Sequence, residues 1–442
     1  MLENRRVDLD SLVSCCEERS LPEFVVRHGR NVVAAERKAI LSNLSSFGCV
    51  YGFNTLTGHR DDVSFSGPEL QGFNDSVLDS HCIGRGPWFS EREVGYLVFS
   101  KLHSFSLGGS GVSLSVFDGL CAAWDRRSVF SARIPRLDSY SSGDVIPGAH
   151  LAHFLRHSEG CEFEVGDMIA VINGSYVHAG YALSVRQELA TSLDELLHTI
   201  ARSLSVVEVG AEWVSRLKLF LDVCCPENSR FFDDVSLSKK STGKQLSVSF
   251  RGIPEMIQAL WLARRGFDEA LIDCFSCPSA NPLFVNGGQG VVSQASFLRP
   301  ELSLASSKLI DALHFSAWQA LRRICFMLNP ASGNLLDASS GGLDLGLIQV
   351  PKRLQARLDQ QRLLSGVRPF CMGSSASNGI EDCWTYGVFL VYQLKEMIAL
   401  VREMLLEEAA VAEYIKRVER GEKVKYRGLV EEAGLLRGLR YD

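Results

Sequence analysis

The chain has 442 residues, 46% of them hydrophobic and 22% charged, close to the average of soluble globular proteins. Its formal net charge is −6, and without a basic block we expect neither a nucleic-acid nor an anionic-membrane partner. No run approaches the roughly 20 apolar residues of a membrane helix, and the charged start MLENRR is unlike a signal peptide. The cysteines are scattered and odd in number, 13, which favours reduced thiols and a cytoplasmic protein.

The predicted elements divide the chain into two regions. Residues 1–185 are mixed and rich in Gly and Ser, with short apolar runs such as Val94–Phe99 between loops. From residue 186 onwards apolar residues recur at three- and four-residue spacing, which is typical of amphipathic helices. The segments with this spacing are Gln187–Val206, Ile253–Cys274, Leu302–Met327 and Tyr386–Arg420. We therefore predict a mainly α fold, with a loop-rich N-terminal region (1–185) followed by a bundle of long helices (186–442).

The most informative segment is residues 141–150, SSGDVIPGAH. Gly143 directly follows Ser142, and glycine lets a backbone fold back on itself without steric cost. In a tight loop the Gly143 amide nitrogen can attack the carbonyl two residues earlier, and loss of water then leaves a conjugated, electrophilic ring. A Ser-Ser-Gly-Asp loop is in other proteins usually a plain turn, so that structural alternative stays open.

This segment resembles the prosthetic-group motif of the aromatic amino acid ammonia-lyases, which include histidine and phenylalanine ammonia-lyases and related aminomutases. The family pattern Ala-Ser-Gly-Asp-x-x-Pro-x-Ala-His is matched at Ser142, Gly143, Asp144, Pro147, Ala149 and His150. Ser141 replaces the alanine, and Tyr140 stands where a small residue is usual. In that family the tripeptide cyclises to 4-methylideneimidazole-5-one (MIO). The resemblance thus implies an MIO cofactor formed from Ser141, Ser142 and Gly143, on a long-helix bundle of the ammonia-lyase/fumarase type.

Four further motifs occur in the family's order. Tyr51, within VYGFNT, resembles the loop of the catalytic tyrosine, and Asn173, within NGS, resembles the asparagine that hydrogen-bonds the prosthetic group. His81, within LDSH, and Glu381, within EDCWTYG, resemble substrate-contacting positions in their histidine-lyase versions. Structural alternatives stay open for these residues: a packed aromatic (Tyr51), a core histidine (His81), a helix cap (Asn173) and the start of the last helix (Glu381).

The segment QASFLR departs from the family pattern Gln-x-x-Tyr-x-x-Arg. Gln294 is in place, Phe297 replaces the second active-site tyrosine, and Arg299 stands one residue early. Residues 351–380 are also compressed relative to the family. These departures indicate a divergent member whose substrate need not be histidine.

Removing ammonia from an α-amino acid needs a base for the β-proton and an electron sink for the leaving amine. The resemblance implies the MIO ring as the sink, Asn173 as the group that polarises it, and Tyr51 as the base. The last function requires the pKa of Tyr51 to fall well below its usual value of about 10. Arg299 is the candidate for binding the substrate carboxylate, with a surface ion pair as its structural alternative.

We expect the substrate side chain to contact His81 and Glu381, an arrangement suited to an imidazole or another polar ring, with Gln294 and Phe297 also in the substrate site. No metal site is expected, because Cys274-x-x-Cys277 has no second cysteine pair nearby.

The sequence therefore predicts an MIO-dependent ammonia-lyase that converts a histidine-like or aromatic α-amino acid to an α,β-unsaturated acid. The resemblance implies a homotetramer whose active sites are shared between chains. Two alternatives stay open. One is an MIO-dependent 2,3-aminomutase, in which ammonia adds back at the β-carbon. The other is a degenerate, non-catalytic homologue that acts as a binding or assembly partner, suggested by Ser141, Phe297 and Arg299.

Overall fold

A computed structural model of the chain describes residues 7–207, 209–224, 246–329, 346–364 and 377–426, together with 232, 428 and 429. Within these residues the chain is built from α-helices and one short antiparallel hairpin, which confirms the predicted mainly α fold. The helices are α1 (Leu9–Glu18), α2 (Arg30–Phe47), α3 (Leu70–His81), α4 (Glu91–Ser106), α5 (Leu114–Asp125), α6 (Val145–His153), α7 (Asp167–Ile172), α8 (Tyr176–Leu204), α9 (Ala211–Cys224), α10 (Val248–Arg251), α11 (Ile253–Ser276), α12 (Pro300–Met327), α13 (Gly346–Leu364) and α14 (Gly387–Glu419). The hairpin pairs β1 (Leu283–Val285) with β2 (Gly290–Val292).

The chain forms two compact units. The first unit consists of Met1–Gln187, Gly266–Ser307 and Arg368–Tyr392, and the second of Glu188–Arg265, Lys308–Val367 and Gln393–Asp442. Every candidate site residue of the sequence analysis lies in the first unit, including those after residue 186. The proposed division between residues 185 and 186 stays a prediction.

The N-terminal region is more helical than its mixed composition indicates. Val94–Phe99, interpreted above as a short apolar run between loops, lies inside α4. Ser90 begins this helix with a capping box: its hydroxyl accepts from the Glu93 amide, and the Glu93 carboxylate accepts from the Ser90 amide. Nearly all of α4 is buried, and its run Val94–Phe99 is apolar at consecutive positions, so this run shows no helical periodicity.

The four long helices predicted by apolar spacing are all present. α8 begins earlier than predicted, at Tyr176, and α14 begins at Gly387 and has 33 residues. Among the described residues no helix combines the length and the apolar character needed to cross a membrane.

Close packing of α6 on the end of α7 brings residues 141–144 next to Asn173. A Cβ on Gly148 of α6 would lie 2.3 Å from the carbonyl oxygen of Ile172, so only glycine permits this approach. α6 starts directly after Asp144 and α7 ends directly before Asn173. The packing of two short helices thus fixes the two loops that carry the candidate ring and its asparagine.

The second unit has a buried ion pair in its core. Arg323 of α12 donates from Nε and Nη2 to the two carboxylate oxygens of Glu408 on α14, at 2.6 and 2.8 Å, and both side chains are fully buried. The Ser203 hydroxyl of α8 donates to the same carboxylate at 2.8 Å. This bidentate pair therefore connects three of the long helices within the second unit.

Candidate active site

The loop at residues 141–144 has an unusual backbone. Ser141, Gly143 and Asp144 have φ angles of 61°, 84° and 52°. Residues other than glycine rarely adopt positive φ, at a cost of roughly 1–3 kcal/mol each, and keep it only where the surroundings impose it. The contacts of this loop therefore matter for its function.

The start of α14 holds Ser141 from one side. The amide of Val388 donates to the Ser141 hydroxyl at 3.0 Å. The Thr385 hydroxyl donates to the carbonyl of Leu298 at 2.9 Å and also lies 3.4 Å from the Ser141 carbonyl oxygen. The amide of Tyr386 donates to the carbonyl of Tyr140 at 3.0 Å. Since Val388 is in the first turn of α14, the Ser141 hydroxyl occupies one of the amides that a helix leaves unpaired at its N-terminus.

Asp144 holds the loop from the other side. Its buried carboxylate accepts from the Ser139 hydroxyl at 2.5 Å and from the amide of His178 at 3.2 Å. Burial raises the pKa of Asp144 to about 6, although the hydrogen bonds from Ser139, His178 and Ser141 oppose the increase. The conformation of residues 141–144 is thus anchored to α8 and α14 by hydrogen bonds within the first unit.

Asn173 lies directly against the candidate ring. The amide of Gly174 donates to the carbonyl of Gly143 at 3.1 Å, and a Cβ on Gly143 would lie 3.0 Å from Nδ2 of Asn173. Asn173 Oδ1 is buried and has no hydrogen-bond partner within the described residues. Asn173 directly follows α7, as expected for a helix cap, but its side-chain amide faces Gly143.

Lys101 of α4 supports Asn173 from behind. Its Nζ donates to the backbone carbonyl of Asn173 at 2.9 Å and lies 4.3 and 4.9 Å from the ring centres of Tyr176 and Phe105. Burial lowers the pKa of Lys101 well below its usual value. Sequence reasoning missed this residue, although a lysine inside the apolar run of α4 is a signal for a buried polar function.

Ser142 contrasts with its neighbours. Its side chain is half-buried, and its hydroxyl forms no hydrogen bond with any part of the chain that the structure describes. Ser141, by comparison, is fully buried. Ser142 is the serine that would lose its hydroxyl, and no hydrogen bond from the described residues holds that hydroxyl in place.

Glu381 and Tyr51 come together beside this loop. Glu381 accepts from the Tyr140 phenol at 2.6 Å through Oε2 and from the Ser377 hydroxyl at 3.3 Å through Oε1. The phenol oxygen of Tyr51 accepts from the amide of Gly58 at 3.1 Å. Burial raises the pKa of Tyr51, and the Glu381 carboxylate raises it further, so the described residues do not supply the decrease that a base requires. Glu381 also lies before α14 and does not begin it.

His81 is the last residue of α3 and forms its hydrogen bonds locally. Its Nδ1 lies 2.7 Å from the Ser80 hydroxyl and 3.0 Å from the carbonyl of Val77. Gln294 is also engaged locally, since its side chain accepts from the amide of Ser296 and donates to the carbonyl of Ala280. No hydrogen bond among the described residues connects either side chain to the 141–144 loop.

Arg299 is buried and not a surface residue. Its Nη2 donates to the carbonyl of Cys277 at 2.5 Å, its Nη1 lies 3.4 Å from Asp273 Oδ2, and its Nε donates to the Ser175 hydroxyl at 3.3 Å. The contact with Ser175 places the guanidinium next to the Asn173 segment. Phe297 lies in the preceding 3-10 turn and is half-buried.

Comparison with known proteins identifies the family. A family model described as aromatic amino acid lyase matches residues 9–184. The histidine ammonia-lyase of Deinococcus radiodurans is 25% identical over 456 residues, which cover 93% of this chain and 84% of that protein. The histidine ammonia-lyase of Sorangium cellulosum is 32% identical over 169 residues, which cover 37% of this chain and 32% of that one. Residues 9–184 thus match the aromatic amino acid lyase family, and the chain is similar to a histidine ammonia-lyase over most of its length.

Solved structures share the fold of this chain. Phenylalanine aminomutase from Pantoea agglomerans superposes with a TM-score of 0.83 at 16% identity, over 98% of this chain and 94% of that chain. The ergothioneine-degrading enzyme ergothionase from Treponema denticola gives a TM-score of 0.80 at 17% identity, over 99% and 93%. The predicted resemblance to the family and the predicted helical fold are thus confirmed, as is the enzyme class of carbon–nitrogen lyase.

Proposed function

We propose that this lyase forms an MIO group from Ser141, Ser142 and Gly143 and eliminates ammonia from a histidine-like or aromatic α-amino acid. The observation that carries the proposal is the left-handed backbone at Ser141, Gly143 and Asp144, held from two sides by α8 and α14. The proposal includes a homotetramer, as the resemblance implies, and a cytoplasmic location, as the cysteine content favours.

Ring closure would join the Gly143 amide nitrogen to the carbonyl carbon of Ser141. The former carbonyl oxygen would leave as water with the amide protons of Gly143 and Ser142, which leaves a C=N bond between Ser141 and Ser142. A second water would consist of the Ser142 hydroxyl and its Cα proton, leaving an exocyclic double bond. The Thr385 hydroxyl supports the first step because it lies 3.4 Å from the Ser141 carbonyl oxygen and could turn its proton from the Leu298 carbonyl towards it. The unbonded hydroxyl of Ser142 supports the second, because no hydrogen bond must break before it leaves.

The surrounding residues fit such a ring. Asn173 presents its side-chain Nδ2 to Gly143, so it could donate a hydrogen bond to the carbonyl oxygen of a ring in this position. Lys101 fixes the backbone of Asn173. An MIO ring supplies an electrophilic carbon that accepts the substrate amine and makes it a better leaving group.

Other residues act on the substrate. We assign the removal of the β-proton to Tyr51, although burial opposes its ionisation, and the recognition of the side chain to Glu381 and His81. Arg299, with Gln294 and Phe297 in its loop, is the proposed carboxylate ligand. The Arg299 guanidinium already donates to the carbonyl of Cys277. To bind a substrate carboxylate with two parallel hydrogen bonds, it would have to give up this bond.

The engaged arginine also favours a second candidate function, a non-catalytic homologue used for binding or assembly. This protein would keep the fold and the strained loop but would form no ring and turn over no substrate. Phe297, which lacks the phenol expected at its position, points in the same direction.

The intact mass of the purified chain, with peptide mapping from Arg136 to His153, tests the proposal. We expect a deficit of two waters confined to that peptide, and Ser142→Ala, which cannot lose the second water, is the matched control. Ring-containing protein is then tested with a panel of amino acids for ammonia and unsaturated acid. A β-amino acid without free ammonia would identify an aminomutase, and an unmodified mass in folded protein would support the non-catalytic homologue.

A further inference from the structure

Tyr140 and Glu381 form a close pair beside the candidate ring. The Tyr140 phenol donates to Glu381 Oε2 at 2.6 Å across 241 residues of sequence, and Ser377 donates to the other oxygen. Both partners are hydroxyl donors, so each carboxylate oxygen of Glu381 is held by one hydrogen bond and keeps further lone pairs. In the described residues no arginine, lysine or histidine pairs with Glu381. The carboxylate is therefore oriented by two neutral groups.

The phenol of Tyr140 is fixed by its surroundings. Its ring packs on Trp384 with the ring centres 4.7 Å apart, and its carbonyl accepts from the amide of Tyr386. Tyr140 also directly precedes the tripeptide that would form the ring. A rigid donor in this position keeps Glu381 in one rotamer beside the loop, and leaves the remaining lone pairs of its carboxylate for a ligand.

We propose that Tyr140 determines substrate specificity by holding Glu381 as an oriented hydrogen-bond acceptor for substrates whose side chain carries an N–H donor or a positive charge. Tyr140 acts through Glu381 and is in this sense a positioning residue. The inference rests on the proposed function in one respect only, that Glu381 faces the substrate. It names the class of side chain that this site selects: an imidazole or a similar nitrogen-containing ring, in preference to a hydrocarbon ring.

The test uses two ligands that lack the amine and cannot react, 3-(imidazol-4-yl)propanoate and 3-phenylpropanoate. Their affinities are measured by calorimetry with the full chain and its variants. We expect the unmodified protein to prefer the imidazole ligand by about tenfold or more, the effect of one hydrogen bond to a charged group. Tyr140→Phe should lose most of this preference and leave the affinity for the phenyl ligand unchanged.

Two further variants keep the test decisive. Glu381→Gln removes the charge with little change in shape and should also lose the preference. Tyr386→Phe removes a neighbouring phenol that does not donate to Glu381 and should retain it. The inference is overturned if the unmodified protein shows no preference, if it binds neither ligand, or if Tyr140→Phe keeps the full preference. Binding does not need the ring, so a preference without the two-water deficit would contradict only the proposed reaction.

Discussion

Ser141 replaces the family's alanine, and its contacts explain what the extra hydroxyl does. The oxygen accepts from the Val388 amide in the first turn of α14 and also bonds the Asp144 carboxylate. Neither contact uses the carbonyl carbon that ring closure would attack. The replacement therefore strengthens the support of the loop and leaves its reactive atoms as the family has them.

We expect Ser141→Ala to keep the two-water deficit and to lower stability. Removal of the hydroxyl leaves the Val388 amide unpaired, and the loss of such a cap costs about 1 kcal/mol. Intact mass and the thermal midpoint, measured on the same preparation, check both parts. Folded Ser141→Ala protein without the deficit would show that the hydroxyl takes part in ring formation itself.

The raised pKa of Asp144 predicts how the stability of the fold changes with pH. Its pKa rises by burial from 3.8 in the unfolded chain to about 6 in the folded one. Below pH 3.8 the group is protonated in both states and its contribution to stability is fully present. That contribution is lost as the pH rises through 6, because the buried site disfavours the charge. A shift of about two pKa units corresponds to a loss of about 3 kcal/mol.

Asp144→Asn stays neutral and does not lose this contribution. Relative to the unmodified chain, its thermal midpoint should therefore rise by several degrees between pH 4 and pH 7. The other carboxylates cancel in this comparison, since they are the same in both proteins. Thermal midpoints that change in parallel over this range would contradict a raised pKa.

At the scale of the elements, the buried ion pair between α12 and α14 predicts how replacements in the second unit change stability. Glu408→Ala leaves the Arg323 charge buried without its partner, which typically costs about 3–5 kcal/mol. The double replacement Arg323→Met with Glu408→Leu fills similar volume without charge and should cost much less. Thermal midpoints of the three proteins check the order.

A control for this prediction lies on the same helix. Glu413 pairs with Arg417 one turn later, at 2.9 Å, and both side chains are partly exposed. Glu413→Ala should change stability by less than about 1 kcal/mol. Equal effects of Glu408→Ala and Glu413→Ala would show that burial does not set the strength of the first pair.

The long helices could be predicted from the sequence because polar residues interrupt their apolar positions at helical spacing. This holds for α8, α11, α12 and α14, although few residues of α14 are exposed. α4 could not be found in this way because its run Val94–Phe99 is apolar at consecutive positions, and such a run has no helical period. The start of α8 at Tyr176 was missed as well.

In the candidate site, local motifs could be read from the sequence, whereas contacts between distant residues could not. Tyr51, Asn173, Glu381 and the Ser-Ser-Gly loop could be found from short motifs, because their chemistry requires particular residue types. The functions inferred for Tyr140 depend on Glu381, which is 241 residues away, and no local pattern records such a contact. The engagement of Arg299 likewise depends on the carbonyl of Cys277, a backbone atom that every residue carries.

At the scale of the whole molecule, α12 leaves two large aromatic residues exposed. Phe315 and Trp318 are 39% and 41% exposed, and their rings stack with the centres 6.1 Å apart. They are three residues apart and so lie on the same face of the helix. Neighbouring exposed aromatics of this size are typical of a surface that another chain covers, which agrees with the proposed homotetramer.

Phe315→Ser combined with Trp318→Glu should therefore reduce the mass measured by light scattering from that of four chains of 48.8 kDa to that of fewer. The control, Phe315→Tyr with Trp318→Phe, keeps the aromatic area and should keep the mass. An unchanged mass in the charged variant would place these residues outside the subunit contacts.

The same variant separates ring formation from turnover. The contacts described for the 141–144 loop all come from the first unit of one chain, through Ser139, Asn173, His178, Thr385 and Val388. A dissociated chain should therefore retain the two-water deficit. If the active sites are shared between chains, as the resemblance implies, the dissociated chain should at the same time lose elimination of ammonia. Loss of the deficit on dissociation would show instead that a neighbouring chain helps to close the ring.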